Sequence, residues 1–403
     1  MQYTLSEKFK NTPQGQRADE ILGKCVHCGM CTATCPTYQL FGDELDGPRG
    51  RIYQIKQVLE GEQATATMQL HLDRCLTCLS CETTCPSGVE YGKLVQIGKD
   101  IVEEQVERPL PERLKRKLLR LIIPYPSRFS ILFKLGLVFK TILPASLKKQ
   151  IHVPRQAGVW PTKKHSRKML VLDGCVQSVM SSNINAAAAR VLDNLGISLL
   201  PVTESGCCGA VSLHMQANVE AKNFMRTNID AWWPYVEDGF EAIVMTASGC
   251  GTVVKDYYEY LSDDPAYAEK AKKISELVKD ISEIIVNEDL SKLENTNNQA
   301  RVAAHIPCSL QHGQQLNGVV ETILTNTGYT LTPVKDAHLC CGSAGTYSLL
   351  QTQISNTLRD NKLDALQQAE PDLITTANIG CLHHLQSGTE KPVLHWIELL
   401  DKP

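Results

Sequence analysis

Two twelve-residue strings dominate this chain: "CVHCGMCTATCP" at 25–36 and "CLTCLSCETTCP" at 75–86. Both read C-x2-C-x2-C-x3-C-P. The first supplies Cys25, Cys28, Cys31 and Cys35 before Pro36, and the second supplies Cys75, Cys78, Cys81 and Cys85 before Pro86. Three thiolates spaced by two residues can wrap three corners of one iron–sulfur cube. The fourth cysteine is carried away from them to ligate the other cube, and the proline fixes the chain's departure. The expected ligand sets therefore cross over: Cys25, Cys28, Cys31 and Cys85 for one [4Fe–4S] cluster, and Cys75, Cys78, Cys81 and Cys35 for the other. Zinc would be satisfied by paired C-x2-C elements. Four cysteines closed by a proline, present twice, point to iron–sulfur.

Cys75 follows Cys35 by a step of forty positions. Within them "GPRGRIYQIKQVLEG" and "ATATMQLHLDRC" place apolar residues at helical spacing, so an α-helical two-cluster ferredoxin domain is expected. A two-cluster domain is suited to passing single electrons along a line. The chain's 403 residues exceed one ordinary core, and 43% of them are apolar, as in folded soluble proteins. The N-terminus "MQYTLSEKFKNTPQGQRADEIL" has no apolar h-region, so no export signal is expected. A reducing compartment follows from that, in which sixteen regularly spaced cysteines mean metal ligation before disulfides. No run of about 20 apolar residues suggests a transmembrane helix.

The net charge of −3 conceals an asymmetry. Between Glu112 and Asp173 there is no acidic residue and there are fifteen Lys and Arg, which leaves −18 on the remainder. This basic middle alternates cations with apolar groups and is broken by Pro124, Pro126 and Pro144. In "RFSILFKLGLVFKTIL", Phe129, Leu132, Phe133, Leu135, Phe139 and Leu143 are expected to line one wide helical face, with Lys134 and Lys140 too close for a membrane span. An amphipathic segment docking on an anionic membrane surface or on a partner is the expectation, with a helical linker packed on the acidic remainder as the alternative. Nucleic acid is not expected, because no binding module accompanies the charge.

From 169 onward strands and helices alternate, and the grammar repeats. "KMLVLDGC" reads as a strand running to Cys175, "NINAAAARVLDNLG" as a helix and "ISLLPV" as a strand. Cys207, Cys208 and Gly209 follow, then "AIVMTASGC" as a strand ending at Cys250. Starting at 301, "RVAAHIPC" leads to Cys308, "VVETILTNTG" reads as a helix and "YTLTPV" as a strand. Cys340, Cys341 and Gly342 come next, and "LITTANIGC" reads as a strand ending at Cys381. The first three cysteines recur after 133 residues and the fourth after 131. Parallel sheets with sites at the strands' carboxyl ends are implied, so four thiolates per repeat should converge. Neighbouring cysteines are poorly placed to bond each other but can both ligate a polynuclear cluster. Additional iron–sulfur, or zinc, is therefore expected at Cys175, Cys207, Cys208 and Cys250, and at Cys308, Cys340, Cys341 and Cys381, with a redox dithiol or buried apolar thiols as alternatives.

Two such cysteine runs followed by two C…CCG…C repeats resemble the CCG, or heterodisulfide-reductase-like, iron–sulfur family, which includes subunits of anaerobic glycerol-3-phosphate dehydrogenase and lactate-utilisation proteins. The strings "CVHCGMCTATCPTYQLFGDELDGPRGRIYQIKQVLEG", "CETTCPSGV", "NIDAWWP", "TASGCG", "LCCGSAGTY" and "TANIGC" are similar to the iron–sulfur subunits of glycolate oxidase (glycolate dehydrogenase). The resemblance spans essentially the whole chain.

It implies an α+β multidomain protein: an α-helical ferredoxin domain (1–105), a basic helical segment (106–168) and two duplicated α/β CCG domains (169–298 and 299–403). It also implies an electron-transfer subunit of a membrane-associated complex, peripheral on the cytoplasmic side of the inner membrane. FAD would reside on flavoprotein partners that oxidise glycolate, and D-lactate as well. Electrons would leave toward the respiratory chain with an acceptor other than NAD. No catalytic residue and no flavin or nucleotide site is expected here, since no G-x-G-x-x-G follows a strand. Rival readings are the equivalent subunit of a lactate or glycerol-3-phosphate dehydrogenase, a thiol–disulfide enzyme acting at a CCG site, or a zinc-stabilised interaction protein. The family's repeat ends in C-x2-C, whereas here the first of that pair is Ala247 and Asn378, which leaves four thiolates per repeat. His305, His338, His383 and His384 lie near the second site and could substitute as ligands or move protons.

Overall fold

The structure is a computed structural model that describes residues 2–140, 154–293 and 300–401. The chain forms two compact units: Met1–Lys115 together with His338–Leu358, and Arg116–Ala337 together with Arg359–Pro403.

The first unit is helical because its sequence writes clean starts and stops. Thr12 caps the helix Pro13–Lys24 by accepting from the Gly15 N–H, with Pro13 at the first turn. Thr65 does the same for Ala66–Asp73 through Met68. Pro48 opens Pro48–Glu60, which Gly61 ends in the left-handed conformation at φ 110°. Pro36 opens Pro36–Phe41 directly behind Cys35, so this proline turns the chain away from the cysteine run. The apolar faces of these helices and of Tyr91–Gln105 share one core, around Ile21, Leu22, Ile55, Leu59, Leu94 and Val95.

The second unit contains two four-stranded parallel sheets. The first comprises β1 (Arg167–Val171), β2 (Ile197–Pro201), β3 (Ile243–Met245) and β4 (Val278–Asp280), in the order β2-β1-β3-β4. The second comprises β5 (Arg301–His305), β6 (Thr330–Leu331), β7 (Leu373–Thr376) and β8 (Val393–His395), in the order β6-β5-β7-β8. The order is the same, so the duplication in the cysteines extends to the topology. Central strands such as Ile243–Met245 are buried on both faces, as parallel strands covered by helices must be.

The duplication also reaches a feature the spacing does not announce. The last strand of each sheet ends on a residue that caps the next helix, Asp280 before Ile281–Ile285 and His395 before Trp396–Leu400. Each is completed by a reciprocal glutamate, Glu283 and Glu398, three residues later. His395 is fully buried. Its Nε2 faces the Thr246 carbonyl oxygen at 2.8 Å while Nδ1 accepts from the Ile397 N–H, a pairing that fixes the tautomer.

Several sequence expectations need correction. "AIVMTASGC" and "LITTANIGC" are strands only at Ile243–Met245 and Leu373–Thr376. Cys250 and Cys381 sit instead in the first turns of the helices Ser248–Lys255 and Ile379–Gln386. The apolar run hid the break because Ala247, not a recognisable capping residue, precedes the first of these helices. "YTLTPV" pairs only over Thr330–Leu331. In the basic middle the helix Pro126–Val138 does not present one apolar face: Phe133 is buried, whereas Leu132, Leu135 and Phe139 are exposed. Leu143 lies outside the described residues.

Candidate metal centres

In the first unit the cysteines sort into two hollows. Cys25, Cys28, Cys31 and Cys85 line one, and Cys35, Cys75, Cys78 and Cys81 line another; both open to solvent. Cys81 also borders the first, and Tyr91 borders both.

The backbone around each run bends in the same way. Positions two and four after the first cysteine are left-handed, at His27 (φ 55°) and Gly29 (φ 83°) in one run and at Thr77 (φ 51°) and Leu79 (φ 62°) in the other. Only glycine adopts this without cost, and a bulky residue such as Leu79 loses roughly 1–2 kcal/mol there. What the strain achieves is a concave turn whose N–H groups face inward, the arrangement that cradles anionic sulfur. The Thr77 N–H lies 3.5 Å from Cys75 Sγ.

The electrostatics follow from crowding sulfur in a low dielectric. Burial pushes the Cys31 thiol up to about 11, helped by Cys25, Cys85 and Cys28 beside it. Burial and then Cys78, Cys75 and Cys35 push Cys81 well above its ordinary value. Such thiols ionise together only around a cationic centre, which fits a metal cluster. Cys75 is the exception. Burial pushes it up, but the Arg51 and Lys99 cations, the Tyr91 hydroxyl and the Thr77 N–H outweigh that and hold it below the ordinary thiol value.

Arg51 is 1% exposed and belongs to a buried network that the sequence reading missed. Asp46, fully buried, accepts from Arg51 at 3.4 Å and Arg74 at 2.7 Å, and its Oδ1 lies 2.9 Å from His71 Nδ1. Thr37 donates to the Asp46 carbonyl oxygen, and its hydroxyl lies 3.3 Å from Cys35 Sγ. No spacing rule links positions 46, 51 and 71, so only the fold could find them.

The paired cysteines have a shared local geometry. Gly209 and Gly342 are left-handed at φ 93° and 86°. Their N–H groups turn back to Cys207 Sγ and Cys340 Sγ, at 3.4 Å in each case. A side chain at Gly342 would strike the Ser355 carbonyl oxygen at 2.6 Å, so glycine is required by space as well as by torsion. No disulfide joins any of the sixteen cysteines.

The first repeat brings its four cysteines together. Cys207 is hydrogen-bonded to Cys175 and Cys208, and Cys208 to Cys250. Hydrogen bonds from Cys207 and Cys250, the Ala210 N–H and the charge of His214 draw Cys208 well below its ordinary value despite burial. Hydrogen bonds to its neighbours, then burial, push Cys207 and Cys250 up. Asn228 braces the loop through the Cys207 carbonyl at 2.8 Å, and Tyr257 through the Cys208 carbonyl at 3.0 Å. Such a tetrad could hold zinc or an iron–sulfur cluster.

The second repeat's cysteines fall in both units. Cys308 and Cys381 are in the second, where Cys381 Sγ lies within 4.8 Å of a ring nitrogen of His305, which is 2% exposed and which burial pushes down to about 3. Cys340 and Cys341 are in the segment counted with the first unit. There Tyr347 donates to the Arg74 carbonyl oxygen at 3.0 Å, one residue before Cys75. Ala247 and Asn378 do begin the fourth-cysteine helices, and Asn378 Nδ2 donates to Cys381 Sγ at 3.5 Å. His383 Nε2 lies 3.1 Å from Ser181 Oγ, while His338 falls in the first unit's segment.

Comparison with known proteins agrees with this layout. Residues 21–89 match the 4Fe-4S dicluster domain family, and residues 169–255 and 302–386 each match the cysteine-rich CCG domain family. The chain is 53% identical over 403 residues to the glycolate oxidase iron-sulfur subunit of Escherichia coli (strain K12), covering 100% of this chain and 99% of that one. It is 29% identical over 412 residues to the probable glycolate oxidase iron-sulfur subunit of Bacillus subtilis (strain 168), covering 93% and 91%. It is 27% identical over 238 residues to lactate utilization protein A of Bacillus licheniformis, covering 56% and 96%.

Proposed function

The chain belongs to the family of glycolate oxidase iron–sulfur subunits, and from that premise we propose that its cysteines form a line of redox centres between a flavoprotein partner and the respiratory chain. It is an iron–sulfur electron-transfer subunit of a glycolate or lactate dehydrogenase, and so part of an oxidoreductase. The observation that carries the proposal is that Cys25, Cys28, Cys31 and Cys85 share one hollow and Cys35, Cys75, Cys78 and Cys81 another, beside left-handed turns in each run. On this reading Cys25, Cys28, Cys31 and Cys85 hold one [4Fe–4S] cluster and Cys75, Cys78, Cys81 and Cys35 hold the second. The tetrads Cys175, Cys207, Cys208, Cys250 and Cys308, Cys340, Cys341, Cys381 hold further iron–sulfur or zinc.

Bound clusters supply reversible one-electron storage. The chain's own residues set its level: Arg51, Lys99 and the Tyr91 hydroxyl all favour added negative charge at Cys75. Tyr347 anchors the Cys340–Cys341 segment beside the strand of chain that carries Cys75. Glycolate, with D-lactate as a second substrate, is oxidised on the FAD of the partner, and the final acceptor is not NAD. The four-part division at 105, 168 and 298 assigns electron entry and exit to separate domains. The test is whether glycolate reduces these clusters through the flavoprotein.

The chain docks on the anionic cytoplasmic face of the inner membrane. Supporting this, the helix Leu110–Ile122 turns its leucines outward: Leu110, Leu114, Leu118 and Leu121 are 74, 63, 53 and 47% exposed, while Arg116 is buried. Exposed Arg113, Lys115 and Lys117 flank them. Among the described residues no single helix is long and apolar enough to cross a membrane, and the only pair that passes together is bent by 106°. Burying four leucines with nearby cations is worth several kcal/mol in total, at about 25 cal/mol per Å² and roughly 1 kcal/mol per basic residue. Changing Leu110, Leu114, Leu118 and Leu121 to Gln is expected to reduce binding to vesicles containing phosphatidylserine at least ~10-fold in cosedimentation, leaving the cluster spectrum unchanged. Unaltered binding would remove the membrane assignment.

A further inference from the structure

We infer that the two cysteine-rich repeats hold chemically different centres, the second being a mixed imidazole–thiolate metal site in which His305 is a ligand beside Cys381. The inference rests on the reading that these repeats bind metal, and it singles out His305 as a ligand from the four histidines that the sequence places near the second site.

Three observations carry it. A ring nitrogen of His305 and Cys381 Sγ lie within 4.8 Å of each other, both residues being buried. A tetrahedral metal with ordinary metal–nitrogen and metal–sulfur bonds holds such atoms about 3.6 Å apart, so closure needs only a small adjustment. Next, His305 Nδ1 lies 2.9 Å from Thr376 Oγ1 on the adjacent strand β7, which fixes the ring's plane. Its Nε2 is buried with no hydrogen-bond partner. Leaving a buried imidazole nitrogen unmatched costs roughly 1–3 kcal/mol, and a metal is the partner that matches it. One nitrogen held by a hydroxyl while the other is left for ligation is how metal-bound histidines are oriented. Finally, Asn378 replaces the missing fifth cysteine as an orienting group. Its Nδ2 donates to Cys381 Sγ while its Oδ1 accepts from the Gly249 N–H at 3.2 Å, and a donated hydrogen bond favours the thiolate.

The first repeat has none of this. The residue 133 positions before His305 is Leu172, and the position matching Asn378 is Ala247. There the four thiols are hydrogen-bonded in a chain, Cys175 to Cys207, Cys207 to Cys208 and Cys208 to Cys250. The second centre therefore differs from the sulfur-only tetrad of the first repeat by a neutral imidazole among its ligands. His305 and Cys381 offer ligand atoms that suit either zinc or the irons of a cluster.

The test uses the full chain purified without oxygen. Metal analysis is combined with zinc-edge X-ray absorption and with pulsed EPR for imidazole nitrogen coupling, the first reading zinc and the second iron. The expected result is a nitrogen-ligated centre that disappears together with its metal in His305→Leu and in Cys381→Ser. In His305→Cys the metal stays and the nitrogen signature goes. The EPR signals of the first eight cysteines, unchanged in all three, show that the variants fold. A centre with sulfur-only ligation in the unmodified chain, or one that persists unchanged in His305→Leu, overturns the inference while leaving metal in the repeats. Metal confined to the first eight cysteines overturns both it and the reading beneath it.

Discussion

Replacing Cys85 with alanine abolishes the same low-temperature EPR signal as replacing Cys28, and replacing Cys35 abolishes the same signal as replacing Cys78. This is the expected result if each run lends its fourth cysteine to the other's cluster. Cys85 lies 54 positions after Cys31 and only four after Cys81, so sequence proximity alone would pair it with Cys81. The fold places it in the hollow with Cys25, Cys28 and Cys31 and not in that of Cys75 and Cys78, close enough for its charge to act on Cys25 and Cys31. Each variant should lose about four iron atoms, and electron flow should fall by orders of magnitude because a linear relay has no bypass. The informative reading is which signal is lost. If Cys85→Ala behaves like Cys78→Ala, the crossed ligand sets are wrong even though the iron count falls.

The second large effect is expected far from any sulfur ligand. Asp46→Ala removes the one carboxylate that holds Arg51, Arg74 and His71 together. Arg51 is 1% exposed and Asp46 is fully buried, so solvent cannot take over. Breaking a buried pair by deleting one partner costs about 3–5 kcal/mol, since the remaining charge is left without compensation. That is a large part of a domain's stability. The midpoint for loss of cluster absorbance in denaturant should fall accordingly, with the α/β unit's own transition little affected. Arg51→Leu is expected to be milder in stability, because replacing the cation also removes the group that suffers. It should nevertheless lower the potential of the cluster ligated by Cys75, where the Arg51 charge stabilises the thiolate. A midpoint unchanged in Asp46→Ala would show that the network is not what holds the helices of the first unit.

The comparison of sequence with structure divides along physical lines. The cysteine runs and the 133-residue repeat were legible because ligand spacing and duplication are written in covalent order. The helices in "GPRGRIYQIKQVLEG" and "ATATMQLHLDRC" were legible for a similar reason, since apolar spacing along a helix is local. The ends of β3 and β7 were not. Ala247 and Asn378 interrupt an apolar run without a glycine or proline, so the strands read as continuing to Cys250 and Cys381. His395 is an uncommon cap, and its equivalence with Asp280 is hidden because the second repeat is shorter. The outward leucines of Leu110–Ile122 were invisible for another reason: periodicity says that a helix has an apolar face, and only packing says which way it points. The Asp46 network and the Tyr347 contact depend on residues 25 to 273 positions apart meeting in space.

The most direct measurement is the spectrum of the anaerobically purified complex before and after glycolate is added. The expected preparation is brown and carries at least about eight iron atoms per copy of this chain. Glycolate in the absence of any other donor should bleach the visible absorbance and bring up EPR signals of reduced [4Fe–4S] clusters. Those signals should be absent when the flavoprotein is omitted. A colourless chain with zinc at the first eight cysteines, or clusters that glycolate leaves oxidised while the flavin is reduced, would contradict an electron-transfer role.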